Sequence, residues 1–288
     1  MTIAFDDRFW TAADGTRLHA RDYAGQSGLS RKAPALLLHG LTRNARDFEA
    51  VAPWVAAQGR RVLAVDVRGR GASAPSPDPA HYAVPVYVGD VLALMAQASL
   101  ERVAVIGTSM GGLIGMTLAC LYPDRVTGLL MNDIGPEIDP KGLARIMGYA
   151  GGTADPMSWE ETVAYARRTN GAAFPGYGRA DWERFARRLV RPEDDRFVLD
   201  YDPAIAPPQA PSAAPPDLWP VFEAAARDRP LGVVRGALSD ILSEATAQRM
   251  RTSGPDVRLV EIAGVGHAPT LEEPEAATAM LDLLERAL

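Results

Sequence analysis

The stretch Val103–Cys120, VAVIGTSMGGLIGMTLAC, constrains this chain most. It opens on an apolar, β-branched run and turns through Gly107-Thr108-Ser109-Met110-Gly111. It then continues as an apolar helical pattern from Gly112 to Tyr122, which Pro123 stops. A strand, the string G-x-S-x-G and a helix, in that order, put a serine on a sharp turn. Gly107 and Gly111 permit the turn, because a Cβ at either place would collide with the neighbouring strand or helix. The Ser109 hydroxyl is thereby lifted above the sheet at a helix N-terminus, where the dipole and free N–H groups favour a negatively charged oxygen. Such a short string also arises by chance, so its meaning depends on partners elsewhere in the chain.

The rest of the chain alternates strand and helix patterns around this stretch. Asp6–Thr11 and Arg17–Tyr23 alternate about Asp14-Gly15 and read as a hairpin. Gly25–Lys32 reads as a polar loop. Ala35–Leu38 and Arg61–Val65 are continuous apolar runs of the kind a buried strand needs. Asn44 is placed to cap a helix around Ala45–Gln58, within which Pro53 marks a kink or a boundary. Pro85–Ala98 has Val88, Val91, Leu92 and Met95 on one helical face. Further strands are expected at Val126–Met131, Leu231–Arg235 and Val257–Ile262, and helices at Asp217–Arg227, Ser243–Arg251 and Glu272–Leu288. Between Gly135 and Pro216 the strand signals stop. Helical fragments rich in arginine and aromatic residues take over, broken by Gly151-Gly152, Pro175-Gly176 and a Pro/Ala tract at Ala204–Pro216. Strands alternating with helices predict the α/β class, with a mostly parallel sheet covered on both faces. The boundaries divide it into a main body at 1–134 and 217–288 and an inserted helical cap at 135–216.

A serine hydroxyl is a poor nucleophile near neutral pH and needs a base, with an acid to orient that base. The chain has four histidines. His19 lies in the hairpin, His81 in a Pro-rich loop, and His39 ends a strand, where a structural hydrogen bond is the expected use. His267 follows the last strand in GVGHAP and is the expected base, since catalytic groups gather at strand C-terminal ends. The acid should fall between serine and histidine. Asp240, just past the next-to-last strand, is favoured over Asp133, just past the strand after the serine turn. An oxyanion needs two backbone N–H groups. Met110 and Leu41 are expected to supply them, Gly40 permitting the close turn. Asp66 and Arg68 are expected to tie their loop together. Arg43 could hold a substrate carboxylate, although an exposed arginine is the simpler reading. Arg167-Arg168 and Arg187-Arg188 read as solvated helix faces. Cap aromatics are expected both to line an acyl pocket and to pack the cap.

The 288 residues carry a net charge of −6 without a long basic run, which argues against a nucleic-acid partner. No uncharged apolar run reaches membrane-spanning length and the N-terminus lacks an apolar leader, so a cytoplasmic protein with no membrane contact is expected. The single Cys120 fits a reducing compartment and a packing role. The histidines lack metal-ligand spacing, and the Gly-rich turn lacks both the P-loop lysine and the dinucleotide pattern. Neither metal nor cofactor is expected, only a small-molecule substrate.

In LLLHGL at 36–41, DVRGRG at 66–71, GTSMGG at 107–112, RGALSD at 235–240 and GVGHAP at 264–269, the chain resembles the α/β-hydrolase superfamily in its serine branch. The resemblance implies an eight-stranded sheet, a cap inserted after strand six, and Ser109, Asp240 and His267 as triad. Thr108 departs from the histidine or asparagine of many relatives. Serine in place of aspartate argues against the epoxide-hydrolase and haloalkane-dehalogenase branches. The expected activity is cofactor-independent hydrolysis of a carboxylic ester of a small or medium organic acid through an acyl-enzyme. A C–C bond of diketone type, an amide, or acyl transfer would use the same motifs. A ligand-sensing protein on this scaffold is the reading from another class.

Overall fold

The computed structural model describes residues 4–25, 32–151, 155–206 and 216–287. Most of the polar loop 25–32 and of the Pro/Ala tract 204–216, together with Gly152 and Leu288, lies outside the described residues. The hairpin forms as β1 (Asp6–Thr11) and β2 (Arg17–Tyr23). β3 (Ala35–Leu38), β4 (Val62–Asp66), β5 (Val103–Thr108) and β6 (Val126–Asn132) follow. β6 thus runs one residue past its expected end. With two later strands they make an eight-stranded sheet. β2 pairs antiparallel with β1 and β4, and all other neighbours are parallel.

The helices lie on both faces, as the apolar strand runs require. The expected helix at 45–58 is a 3-10 turn, Ala45–Phe48, capped by the Asn44 side chain, followed by α1 (Val51–Ala57). Pro53 lies in the first turn of α1, where its missing N–H costs no helical bond. α2 (Val84–Gln97) and α3 (Met110–Leu121) come next. Along β5, Val103 and Val105 join the core beneath α2 and α3, and Ala104 and Ile106 join the core on the other face.

After β6 the chain forms α4 (Pro140–Met147), α5 (Trp159–Asn170) and α6 (Arg179–Leu189). Ser158 and Glu161 cap α5 reciprocally. The segment is not wholly helical. β7 (Val190–Glu193) and β8 (Arg196–Leu199) form a small antiparallel hairpin. Its RPEDDR centre exposes charge on both sides and gives no alternating signal, so the sequence hides it. Phe174, Tyr177, Trp182 and Phe185 pack ring against ring beside it. The expectation of solvated arginines holds for Arg167, Arg168 and Arg187. It fails for Arg188, which is buried and bonded to Glu49 at 2.9 Å and Glu272 at 2.8 Å. The chain returns through α7 (Trp219–Ala226), β9 (Leu231–Gly236), α8 (Glu244–Thr252), β10 (Val257–Ile262) and α9 (Pro274–Arg286). α9 packs beside α1, closing the second face. Among the described residues, no helix is long and apolar enough to cross a membrane.

Candidate active site

Register brings the site residues together before any side chain is considered. β5 and β6 pair Thr108 with Asn132, so Ser109 and Asp133 are the next residues on neighbouring parallel strands. Both turn out of the sheet with positive φ, 52° at Ser109 and 56° at Asp133. Non-glycine residues rarely adopt this region, and at functional sites surrounding contacts hold them there. Here the Ser109 N–H donates to Asn132 O at 2.9 Å and the Asp133 N–H to Val234 O at 2.7 Å. The glycines of the serine turn are needed for close approach. A Cβ on Gly107 would lie 2.3 Å from the Gly111 carbonyl carbon, and one on Gly111 would lie 2.0 Å from Leu38 O.

The His267 imidazole bridges the two strand ends. Its Nε2 is 3.0 Å from Ser109 Oγ and its Nδ1 is 2.8 Å from Asp133 Oδ2. Asp133 is fully buried. Its carboxylate also accepts the Gly236 N–H at 2.8 Å and the Ser239 hydroxyl at 2.6 Å. With the carboxylate accepting from Nδ1–H, Nε2 is left free to take the serine proton. Asn132 Nδ2 ties the turn to the histidine loop, donating to Thr108 Oγ1 at 3.0 Å and Pro269 O at 2.8 Å. Thr108 therefore has a local partner of its own.

The expectation that Asp240 orients the imidazole is corrected here. Asp240 accepts a forked pair from Arg145 on α4, at 2.5 and 2.8 Å, and its side chain is 40% exposed. Arg145 holds its carboxyl below the usual carboxylate range. A turn after β9 separates Asp240 from the strand end and points it at α4. The same motif instead contributes Ser239 to the Asp133 carboxylate.

The loop after β3 forms the opposite wall. His39 is fully buried; its Nε2 accepts the Val67 N–H at 3.0 Å and its Nδ1–H donates to Gly40 O at 2.7 Å. This is the structural role expected of it. Burial pushes its pKa down to about 4. Because the folded value lies below the ordinary 6.5, protonation favours the unfolded chain. The stabilisation is complete above pH 6.5 and is lost as pH falls from there toward 4. We expect the advantage of the unmodified protein over His39→Gln, read from urea unfolding, to shrink by about 2 kcal/mol between pH 7.5 and pH 5. An unchanged difference would mean that His39 titrates normally.

Leu41 O accepts from Arg70 Nε at 2.9 Å, and Arg70 Nη2 lies 3.7 Å from Met110 Sδ. Arg70 is fully buried and also donates to Arg68 O and Tyr87 Oη. One guanidinium therefore touches both residues expected to supply oxyanion N–H groups. The sequence displayed it only as a letter within DVRGRG. Asp66 and Arg68 serve their loop as expected. Asp66 accepts from His19 and from the N–H groups of Ala45 and Ala72, and Arg68 is held by Asp90 and Asp14.

Ser109 and His267 open into a pocket between this wall and the segment after β6, lined also by Leu41, Arg43, Tyr149, Tyr165, Phe174 and Tyr201. Burial raises the Tyr149, Tyr165 and Tyr201 phenols above their usual range, keeping them neutral donors. Tyr165 and Phe174 are among the aromatics of this segment expected to line an acyl pocket, whereas no sequence signal singled out Tyr149 or Tyr201. The segment between β6 and α7 also reaches the histidine loop directly, the Gly266 N–H donating to Ala173 O at 2.7 Å. Among the described residues, no group of three or more His, Cys, Asp or Glu side chains is placed to hold a metal ion.

Residues 34–274 match the family model of the alpha/beta hydrolase fold. The chain is 40% identical over 246 residues to a 3-hydroxybutyrate-oligomer hydrolase of Cupriavidus necator, covering 82% of this chain and 83% of that protein. The crystal structure of an alpha/beta hydrolase from Novosphingobium aromaticivorans superposes with a TM-score of 0.91 at 44% identity, over 99% of both chains. A putative hydrolase from Rickettsia typhi does so at 0.83 and 27%, again over 99% of both. With the family model spanning most of its length and a 40% identical relative covering four-fifths of it, this chain belongs to the α/β-hydrolase family.

Proposed function

We propose that this hydrolase cleaves carboxylic esters through a Ser109 acyl-enzyme, and that its substrates are short oligoesters of a small hydroxy acid. The observation that carries the reading is the chain of hydrogen bonds Ser109–His267–Asp133. His267 Nε2 takes the Ser109 proton as Oγ attacks the ester carbonyl. Asp133 keeps the imidazole in the tautomer that can accept it and stabilises the imidazolium. The N–H groups of Leu41 and Met110 receive the oxyanion. The tetrahedral intermediate collapses, the C–O bond breaks, and His267 returns the proton to the leaving alcohol. A water deprotonated by His267 then releases the acid and restores Ser109. The residues between β6 and α7 act as a cap that supplies one wall of the pocket. The hydroxy-acid class is supported by the similarity to the 3-hydroxybutyrate-oligomer hydrolase. It is also supported by three neutral tyrosines in the pocket, since ester oxygens only accept hydrogen bonds.

A panel of linear 3-hydroxybutyrate oligomers, p-nitrophenyl acyl esters, anilides and a vinylogous diketone tests this. We expect release of hydroxy acid from the oligomers and turnover of short acyl esters, with the anilides and the diketone slower by at least about a hundredfold, roughly 3 kcal/mol of transition-state discrimination. Faster cleavage of the diketone or an anilide would move the chemistry to that bond.

A further inference from the structure

We infer that Arg43 is an anion anchor in this pocket, reading a free carboxylate on the alcohol side of the scissile ester. The inference rests on the ester-hydrolase reading and adds the substrate feature that the site selects. Arg43 was expected to be exposed, but its side chain is only 15% exposed and lines the pocket with Ser109. A methyl group on Gly40 would meet Arg43 Cγ at 3.5 Å and Ser109 Cβ at 3.6 Å, so the two side chains flank one point.

The guanidinium is fixed on two sides. Asp47 accepts from Nε, at 2.8 and 3.0 Å, and from Nη2, and the Phe185 ring lies under Cζ at 4.4 Å. Nη1 remains, buried and without a hydrogen-bond partner among the described residues. Buried donors of this kind are rarely left unpaired, because the lost hydration is not recovered. Arg188 lines the same pocket but is occupied by Glu49 and Glu272, so it is not the free fork. An arginine held by one carboxylate can still bind another: Arg68 in this protein takes both Asp14 and Asp90. Asp47 offsets much of the Arg43 charge, so recognition would come from a fixed donor rather than from long-range attraction. In a linear oligomer of a 3-hydroxy acid, the terminal carboxylate stands only a few bonds beyond the last ester carbonyl. That short span suits an arginine whose stem lies beside the nucleophile, and it would make the enzyme a reader of chain ends.

The test uses Ser109→Ala protein and calorimetry with the linear dimer of 3-hydroxybutyrate and with its methyl ester. We expect the free acid to bind about 10- to 100-fold more tightly. Adding Arg43→Met should erase that ratio, and Arg43→Lys should keep only part of it. Equal affinities, no detectable binding of the acid, or an unchanged ratio in Arg43→Met would overturn the anchor. The comparison of the two ligands needs no Arg43 variant, so it decides even if Arg43→Met does not fold. Turnover of p-nitrophenyl butyrate by the unmodified protein reports separately on ester hydrolysis: its absence sinks that reading, whereas equal binding sinks only the anchor.

Discussion

Ser109→Ala is expected to abolish labelling by a fluorophosphonate probe and to lower ester turnover by roughly 10^4- to 10^6-fold, with the fold intact. The size follows from what the hydroxyl does. Among the described residues, its one polar side-chain partner is His267 Nε2, at 3.0 Å. Without Oγ, hydrolysis must proceed by direct attack of water, aided only by the oxyanion N–H groups and by binding. The backbone of the turn is held by the Ser109 N–H to Asn132 O bond and by the Gly112 N–H to Ser109 O bond at 2.8 Å, which alanine keeps. The positive φ strains serine and alanine alike. A thermal midpoint within a few degrees of the unmodified protein is therefore expected. Residual turnover within tenfold of normal, about 1.4 kcal/mol, would place the nucleophile elsewhere.

What the sequence made legible here is what depends on local rules. The ALLL run, the hairpin about Asp14-Gly15 and the Val257–Ile262 strand coincide with β3, β1–β2 and β10, because burial on two faces or alternation on one is written directly into residue order. Ser109 and His267 were legible because each sits where a strand ends in glycine-rich chain. The β7–β8 hairpin was not: Arg191, Pro192 and Glu193 are all exposed, and Val190, Phe197 and Leu199 pack instead on the aromatic cluster of α5 and α6. Arg188 was misplaced for a related reason. A helix-face arginine looks solvated until Glu49 and Glu272, from distant parts of the chain, close over it. Arg43 shows the same limit in part: Asp47 is only four residues on, but the Phe185 ring that covers its guanidinium comes from α6.

Asp133→Asn is expected to lower turnover by about 10^3- to 10^4-fold, the cost of presenting the wrong imidazole tautomer to the serine. Asp240→Asn should change it by no more than a few-fold. The two carboxylates differ by a single turn of chain past a strand end, and the sequence reading favoured the one that pairs with Arg145 instead of His267. Asp133 follows directly on β6 and keeps the ladder to β9 through its N–H, so its position is set by the sheet. Its left-handed backbone then turns the carboxylate across to the histidine loop, where Gly236 and Ser239 fix it and His267 Nδ1 meets it. In the asparagine variant an N–H faces Nδ1, or the amide flips and confronts the Gly236 N–H; either way, an acceptor that three donors require is lost. Asp240 has no such duty. It lies beyond the turn, is 40% exposed, and its loss removes a half-exposed ion pair with Arg145, an effect of at most about 1 kcal/mol on stability. Measuring kcat and the probe-labelling rate for both variants at one pH separates the two assignments. A larger loss in Asp240→Asn would mean that the loop after β9 rearranges in the working enzyme, because in this structure its carboxylate is committed to Arg145.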